Sequence, residues 1–406
     1  MSRHRILSLG ARGDGVAEGP LFAARTLPGE EVSGTPEGER LKDIRILSSS
    51  PDRVRAPCRH FASCGGCQLQ HASDAFVAAW KLERVRAALA ARGVAAEVVP
   101  LHASPPASRR RAVLSARRTK SGALAGFHAR GSDQVIEVPE CRLLHPRLMP
   151  ALDAARDLAR AGTSRKGEIA VTATLAGAGL DLAVRGGKPL DEALRLTLSD
   201  LAVRHDLARL AWEDEIVLTR RAPEQIFSGV AVVPPPGAFL QATPGGEAAL
   251  VDEVLGVLDG TRAVADLFAG CGTFTFPLAR RAAVHAVEGA PGMVAALEHA
   301  ARHAQGLRPV TGAARDLFRR PLDRHELARF DGVVIDPPRA GAETQIAELA
   351  EAGVPRIAHV SCSPTSFARD AARLVAAGYA LGPVRVVDQF RWSAHVELVA
   401  GFILHR

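Results

Sequence analysis

Several features are missing from this sequence, and each absence narrows the choices. No apolar run approaches the roughly 18 residues of a membrane-spanning helix. The first ten residues lack the long apolar run and small-residue cleavage pattern of a secretory signal. We find no internal repeat. The composition, 47% hydrophobic and 23% charged, is ordinary for a soluble globular protein. We therefore expect a cytoplasmic protein of two or three domains, with no membrane partner and no obligate protein partner evident.

Cysteine is also scarce, at six residues in 406, which argues against a disulfide framework. Three of the six cluster as Cys58, Cys64 and Cys67, and two glycines before the last let the loop curl around a metal centre. Cys141 is the candidate fourth ligand, because Cys271 lies inside a glycine turn and Cys362 ends a strand. Four thiolates suit either a 4Fe–4S cluster or zinc, and spacing alone leaves both open.

Positive charge is concentrated in one part of the chain. Residues 1–54 carry eight basic and eight acidic side chains, whereas residues 55–150 carry fifteen and six. The densest stretch contains no acidic residue and consists of Arg109, Arg110, Arg111, Arg117, Arg118 and Lys120. Such a cluster is typical of contact with a nucleic-acid backbone. The alternative is a solvated, arginine-rich pair of strands.

The order of predicted elements indicates three domains. Short apolar alternations split by glycines predict a small antiparallel barrel in residues 1–55. Residues 56–235 hold the cysteine loop and a central α/β domain. Residues 236–406 repeat strand and helix, which predicts a doubly wound, Rossmann-like parallel sheet. Its last two strands are joined too closely for a helical crossover, so we expect an antiparallel hairpin.

A glycine-interrupted turn at residues 264–279 marks the ligand site of that sheet. Gly270 and Gly272 lie where the chain leaves a strand, and Glu288 ends the next strand, where such folds hold ribose hydroxyls. The turn lacks the third glycine of the dinucleotide fingerprint. It also has no basic residue to meet a pyrophosphate. S-adenosylmethionine, which carries no phosphate, is therefore the candidate ligand.

Candidate catalytic residues follow other strands of the same sheet. Asp336 and Cys362 each end a predicted parallel strand, so both lie at its carboxyl edge. Cys362 precedes a helix, whose N-terminus lowers a thiol's pKa, so it suits a nucleophile. Alternatively, it is a small apolar residue at a strand end. The final hairpin brings His395 and Glu397 toward Cys362, with His395 expected to be a structural donor.

Together these motifs resemble the iron–sulfur-containing RNA 5-methyluridine methyltransferases, in particular the bacterial rRNA uracil-5 branch. The resemblance covers most of the chain. Its matching segments are residues 1–54, the cysteine loop, residues 108–115 and 126–128, and the catalytic motifs at 239–243, 266–274, 287–288, 335–341 and 360–362.

The resemblance implies a class I methyltransferase fold, an N-terminal TRAM barrel that binds RNA, and two cofactors. Cys362 is then the nucleophile, Glu397 the base, and Cys141 the fourth ligand of a 4Fe–4S cluster. By the same resemblance, the S-adenosylmethionine site consists of Gln241, Phe268, Thr273, Glu288 and Asp336, together with Gly270 of the glycine turn. Asp316 is a further candidate.

The sequence departs from the family at several positions. Thr243 and Thr273 stand where asparagines are usual, and residues 390–397 lack the usual proline and threonine. The tRNA-specific branch generally lacks both barrel and cluster, so their presence favours rRNA over tRNA. Two other functions compete: a non-catalytic, metal-containing RNA-binding protein, and an amino-directed methyltransferase that needs no cysteine.

Overall fold

The computed structural model describes residues 2–405, and its N-terminal part is a closed five-stranded barrel. Apolar side chains at alternate positions, such as Ile6, Val32 and Leu41, fill its interior. The barrel strands follow the order β1-β2-β3-β5-β4. Their bounds are β1 (Ser2–Leu9), β2 (Gly15–Ala17), β3 (Leu21–Ala23), β4 (Glu31–Glu37) and β5 (Arg40–Ser48). The barrel expected from the alternating pattern is present.

A seven-stranded sheet, of order β13-β12-β11-β10-β7-β8-β9, forms the central domain. Helices α2 and α3 pack on one face of this sheet, against strand residues such as Leu114, Ile169 and Leu182. The elements from the barrel onward are α1 (Asp74–Ala90), β6 (Val98–Ala103), β7 (Arg111–Arg118), β8 (Ala123–His128), β9 (Val135–Glu137), a 3-10 turn (Pro146–Leu148), α2 (Ala151–Gly162), β10 (Glu168–Ala176), β11 (Gly179–Arg185), α3 (Glu192–Arg204), β12 (Arg209–Trp212) and β13 (Glu215–Thr219).

The C-terminal sheet is doubly wound and reads β18-β17-β16-β19-β20-β23-β22-β6. Strands β16 to β20 are parallel, and β23 runs antiparallel to both β20 and β22, as the short final connection predicts. Its elements, after the hairpin β14 (Gln225–Phe227) and β15 (Val230–Val232), are α4 (Pro244–Val257), β16 (Ala263–Leu267), α5 (Thr275–Ala279), β17 (Ala283–Glu288), α6 (Pro291–His303), β18 (Val310–Ala314), α7 (Arg324–Leu327), β19 (Gly332–Ile335), α8 (Glu343–Ala352), β20 (Arg356–Ser361), α9 (Pro364–Ala376), β21 (Ala380–Leu381), β22 (Val384–Asp388) and β23 (Glu397–Ile403).

Strand order in this sheet reverses between β16 and β19, which creates a crevice beyond their carboxyl ends. Both strands are buried on both faces, as central parallel strands should be. Thr243 caps the N-terminus of helix α4, and its side chain accepts a hydrogen bond from the Gly246 amide at 3.1 Å. An asparagine would cap the helix equally well. Across residues 2–405, no helix is both long enough and apolar enough to span a membrane.

Helix α1 and strand β6 differ from expectation. Both fall inside the 56–235 segment expected to form the central domain, yet β6 pairs in parallel with β22 at the edge of the C-terminal sheet. Helix α1 packs against α9, and its residues Val85 and Leu89 belong to the C-terminal core. The backbone partner that satisfies β6 lies far along the chain, so local patterns do not reveal this pairing.

Candidate active site

A cavity of about 630 Å³ opens at the crevice of the C-terminal sheet, and we call it the cofactor cavity. Most of the catalytic and cofactor-binding residues predicted from the sequence line this cavity. Those that line it are Gln241, Phe268, Gly270, Glu288, Asp316, Asp336, Cys362 and Glu397. Thr273 is the exception, being half-buried in the turn and not among the lining residues. The carboxyl ends of β16, β17, β19 and β20 thus supply one common site.

Glu288 is oriented by the glycine turn. Its Oε2 accepts a hydrogen bond from the Gly270 amide at 3.0 Å, and its Oε1 accepts one from the Ala290 amide at 2.9 Å. Gly270 has a φ of 57°, and a Cβ built on it would meet nothing within 4 Å, so the backbone faces open space. Each carboxylate oxygen keeps a free lone pair for a hydroxyl donor. The arrangement suits the two hydroxyls of a ribose.

The far part of the cavity is apolar. Phe268, Met293, Leu317 and Phe318 line it, and the rings of Phe268 and Phe318 lie 5.4 Å apart, tilted by 56°. Asp316 Oδ1 accepts from the Phe318 amide at 3.0 Å, which fixes the loop that carries this aromatic ring. A flat aromatic ligand beside a ribose fits such a surface.

Two carboxyl groups at the other end are joined through two glutamine amides. Gln241 Nε2 donates to Asp336 Oδ2 at 3.1 Å, and Gln389 Nε2 donates both to Gln241 Oε1 at 2.6 Å and to Glu397 Oε2 at 3.2 Å. Gln389 Oε1 accepts from the Ala242 amide at 2.8 Å, which fixes the orientation of its side chain. The sequence analysis did not find Gln389, since no motif marks it.

The two carboxyl groups joined by these glutamines, Asp336 and Glu397, have raised pKa values. Burial, followed by the charge of Asp336, raises the pKa of Glu397 well above its usual range. Burial and the nearby Asp266 raise the pKa of Asp336 to about 7. A carboxyl group with a raised pKa accepts a proton more readily than an ordinary one, so Glu397 is suited to act as a general base.

The thiol of Cys362 contradicts one expectation. Burial, then the charges of Glu397 and Asp336, raise its pKa to about 11, whereas the start of helix α9 was expected to lower it. The reason is that loss of hydration and two nearby carboxylates outweigh one helix N-terminus. Cys362 is therefore a neutral thiol near pH 7.

The segment 389–396 between β22 and β23 connects the active site to residues of the N-terminal half of the protein. The amides of Gln68 and Leu69 donate to the Trp392 carbonyl at 2.8 and 2.9 Å. Lys81, buried on α1, donates to the Phe390 carbonyl at 3.2 Å and pairs with Asp388 at 2.6 Å. Residues remote in sequence thus hold the segment that leads to Glu397.

His395 lies near the end of this segment and contacts the Arg339 guanidinium. Burial, and then the charges of Arg339 and other basic residues, lower the pKa of His395 to about 4. The imidazole is therefore neutral near pH 7. This state agrees with a structural role better than with proton transfer.

All four predicted metal ligands line a second cavity, of about 380 Å³, which we call the cysteine cavity. Gly65 donates to the His128 carbonyl at 2.9 Å, and a Cβ at that glycine would lie 2.8 Å from the same oxygen, so the loop packs closely on the β8–β9 turn. Within residues 2–405, however, no group of three or more histidine, cysteine or acidic side chains is arranged tightly enough to hold a metal ion. The four thiols nevertheless meet at one cavity.

Part of the positive charge in the arginine-rich stretch is paired with acidic side chains, which its sequence does not indicate. Arg110 is buried and forms an ion pair with Glu247, and Arg117 pairs with Glu168 at 2.7 Å. Acidic partners come from other parts of the chain, so an acid-free stretch does not by itself predict free positive charge. Arg109 does face the site: it lines both the cofactor and the cysteine cavities, with its guanidinium 5.8 Å from the Phe390 ring centre.

Known proteins are similar in sequence over nearly the whole chain. An uncharacterized RNA methyltransferase of Brucella suis is 45% identical, covering 97% of this chain and 96% of its own. The 23S rRNA (uracil(1939)-C(5))-methyltransferase RlmD of Chromohalobacter salexigens is 35% identical, covering 95% and 86%. The sequence model of the family described as tRNA (Uracil-5-)-methyltransferase matches residues 237–406. The chain belongs to the RNA (uracil-5-)-methyltransferase family.

This methyltransferase therefore uses S-adenosylmethionine to methylate uracil carbon 5 in RNA, as expected from its motifs. The expected fold is confirmed as well. The crystal structure of the Pyrococcus abyssi tRNA (uracil-54, C5)-methyltransferase, solved with S-adenosyl-L-homocysteine, has a TM-score of 0.76 at 21% identity and covers 99% of both chains.

The same match bears on the expected choice between rRNA and tRNA. The Pyrococcus abyssi protein is a tRNA methyltransferase, and its fold matches 99% of this chain, including the barrel. A barrel therefore does not separate rRNA enzymes from tRNA enzymes. The choice between the two substrates must depend on other observations.

The hydrogen bonds around Glu288 generate a first prediction. Glu288→Gln replaces one carboxylate oxygen by an amide donor, so one ribose hydroxyl loses its acceptor. We expect S-adenosylmethionine to bind about 1–3 kcal/mol more weakly in calorimetry. Glu351→Gln, on the exposed side of α8, is the matched control and should bind as wild type. An unchanged dissociation constant for Glu288→Gln would remove Glu288 from the cofactor site.

Proposed function

We propose that this methyltransferase modifies a uridine of 23S rRNA through a covalent intermediate, with Cys362 as nucleophile and Glu397 as base. One observation carries the proposal. Cys362 and Glu397 line the same cavity as the residues suited to the cofactor, although they follow and open two different strands, β20 and β23. A thiol, a carboxyl group and a ribose-binding carboxylate in one cavity match what uracil methylation requires.

The reaction needs a nucleophile because uracil carbon 5 attacks a methyl sulfonium poorly. The thiol proton of Cys362 passes to water as its Sγ forms a bond to carbon 6, and the electron pair of the 5,6 double bond moves to an enolate. When bound, S-adenosylmethionine supplies an electrophilic methyl group, which carbon 5 takes up. Glu397 then removes the proton from carbon 5, the Sγ–carbon 6 bond breaks, and the 5,6 double bond re-forms as the thiolate leaves.

The surroundings of Glu397 support its role. Its side chain is 3% exposed, so water competes little for the proton at carbon 5. Gln389 holds Oε2 at 3.2 Å and leaves Oε1 free to receive that proton. Because burial raises its pKa, Glu397 is a stronger base than an exposed carboxylate.

The cofactor would be held by both ends of the cavity. Glu288 fits the ribose hydroxyls, and Phe268, Leu317 and Phe318 fit the adenine ring. Asp336 and Gln241 lie toward Cys362, where the methionine part would end. Gly270 leaves the space above the turn open, and Asp316 orients the Phe318 loop. Thr273, outside the lining, acts at most through the turn's conformation.

The rRNA assignment has support from the 35% identity with the Chromohalobacter salexigens 23S rRNA enzyme over 95% of this chain. We expect rRNA from cells that lack this protein to miss one 5-methyluridine, detected by mass spectrometry of rRNA fragments. Purified protein should restore it in vitro. If rRNA from those cells kept all of its 5-methyluridine and tRNA lost 5-methyluridine, the substrate would be tRNA.

The covalent step predicts opposite behaviour for two variants. Glu397→Gln should add to the uridine and methylate it, then stall, because the proton at carbon 5 has no acceptor. The stalled complex should appear as a protein–RNA band in denaturing electrophoresis. Cys362→Ala should give neither band nor methylated product. Wild type should form the same band on RNA that contains 5-fluorouridine, since fluorine does not leave as a proton.

A matched control is Cys271→Ala, because Cys271 is buried beside the glycine turn and does not line the cofactor cavity. It should retain methylation and the fluorouridine band. Methyl transfer by Cys362→Ala, or no band from an active enzyme on fluorinated RNA, would contradict the covalent route. An amino-directed methyltransferase, which needs no thiol, would then be the better interpretation.

We further infer that Cys58, Cys64, Cys67 and Cys141 hold a 4Fe–4S cluster. The donor set fits, because four thiolates are the usual ligands of such a cluster. All four line the cysteine cavity, although they come from two segments of the chain that are 74 residues apart at the nearest pair, Cys67 and Cys141. This convergence supports a shared ligand for the four thiols.

Metal analysis tests this inference independently of activity. Protein purified without oxygen should be brown and contain about four iron and four sulfide per chain. Each of Cys58→Ala, Cys64→Ala, Cys67→Ala and Cys141→Ala should lower iron content and folded yield, because ligand binding energy contributes to folding. Cys271→Ala should keep full iron content. Stoichiometric zinc without iron or sulfide would contradict the cluster.

A further inference from the structure

A third cavity, of about 480 Å³, lies beside Cys362, and we call it the arginine cavity. Four arginines from four separate segments line it. They are Arg12 in the β1–β2 turn of the barrel, Arg84 on α1, Arg130 in the β8–β9 turn and Arg339 in the loop after β19. No aspartate or glutamate is among its lining residues. The cavity therefore has a strongly positive lining.

Little of this charge is neutralised. Arg130 pairs with Asp14 at 2.6 Å, whereas the residues described here show no carboxylate partner for Arg12, Arg84 or Arg339. Arg84 donates to the Ala394 carbonyl, and Arg339 contacts His395. These two guanidinium groups are thus held in place before any ligand arrives. Holding them beforehand reduces the entropy lost when an anion binds.

The cavity adjoins the reaction centre directly. Cys362, Arg339 and His395 line both the arginine cavity and the cofactor cavity. Ser363 and Thr365, at the start of helix α9, also line it. An anion bound there would lie next to the thiol that attacks the base.

We propose that the arginine cavity binds the RNA backbone phosphates that flank the target uridine, an inference that rests on the proposed function. The uracil then enters between Cys362 and the cofactor while its phosphates stay with the arginines. Guanidinium groups bind phosphate through paired hydrogen bonds, and a base that leaves its stack needs its backbone held. Through Arg12 the barrel takes part in the active site itself.

Arg12→Gln is the primary test, because the Arg12 side chain is exposed and makes no hydrogen bond or ion pair with the described residues. We expect KM for RNA to rise roughly tenfold, with kcat and the dissociation constant of S-adenosylmethionine unchanged. The slope of log binding constant against log salt should fall by about 0.7, the value for one phosphate contact on single-stranded RNA. Arg84→Gln should behave similarly.

Matched controls are Arg3→Gln on barrel strand β1 and Arg86→Gln on α1, since neither side chain lines the cavity. Both should keep wild-type KM. A synthetic substrate with one neutral methylphosphonate beside the mapped uridine gives the decisive readout. It should raise KM about tenfold for wild type and add nothing for Arg12→Gln, because both changes remove the same contact.

Additive effects of Arg12→Gln and the methylphosphonate, or unchanged KM in both cavity variants, would overturn this proposal even if methylation is normal. Binding of inorganic phosphate at the cavity with unchanged KM for RNA would also overturn it, in favour of a small-anion site. Failure of wild type to methylate any uridine would instead contradict the proposed function.

Discussion

Asp336 and Glu397 share one end of the cofactor cavity, where two glutamine amides hold them at fixed positions. Asp336 and Glu397 would repel each other if both were ionised, and burial makes that repulsion costly. The hydrogen bonds from Gln241 to Asp336 and from Gln389 to Glu397 give each carboxylate a donor and connect the two through a third hydrogen bond. The position of Glu397, the proposed catalytic base, depends on these two glutamine amides.

Those amides in turn depend on the central domain, helix α1 and the cysteine loop. Gln241 lies where Arg110 of the central domain donates to its carbonyl at 3.1 Å. Gln389 opens the segment held by Lys81 of α1 and by the backbone of the cysteine loop at Gln68 and Leu69. The C-terminal sheet alone therefore does not complete the site. This dependence offers a physical reason why a cysteine loop belongs in a methyltransferase: it supports the segment that leads to Glu397.

The three cavities meet at the same segment. His395 lines the cofactor, cysteine and arginine cavities, and its neutral imidazole packs beside Arg339 without adding charge. Residues 390–397 are also where the sequence departs from the usual family motif. The tertiary contacts of Trp392 and His395 therefore replace local sequence preferences in setting the path of this segment.

Local sequence patterns were enough for the barrel, the doubly wound sheet, the glycine turn with Glu288, and the placement of Cys362 and Glu397 at one sheet edge. Each follows from a short-range rule: side-chain alternation, glycine backbone freedom, or the shared edge of parallel strands. Only the tertiary structure decided the partner of β6, the roles of Gln389 and Arg110, the assembly of Arg12 with Arg84, and the raised pKa of Cys362. These features depend on desolvation and on charges brought together from distant parts of the chain, and no local pattern encodes such distances.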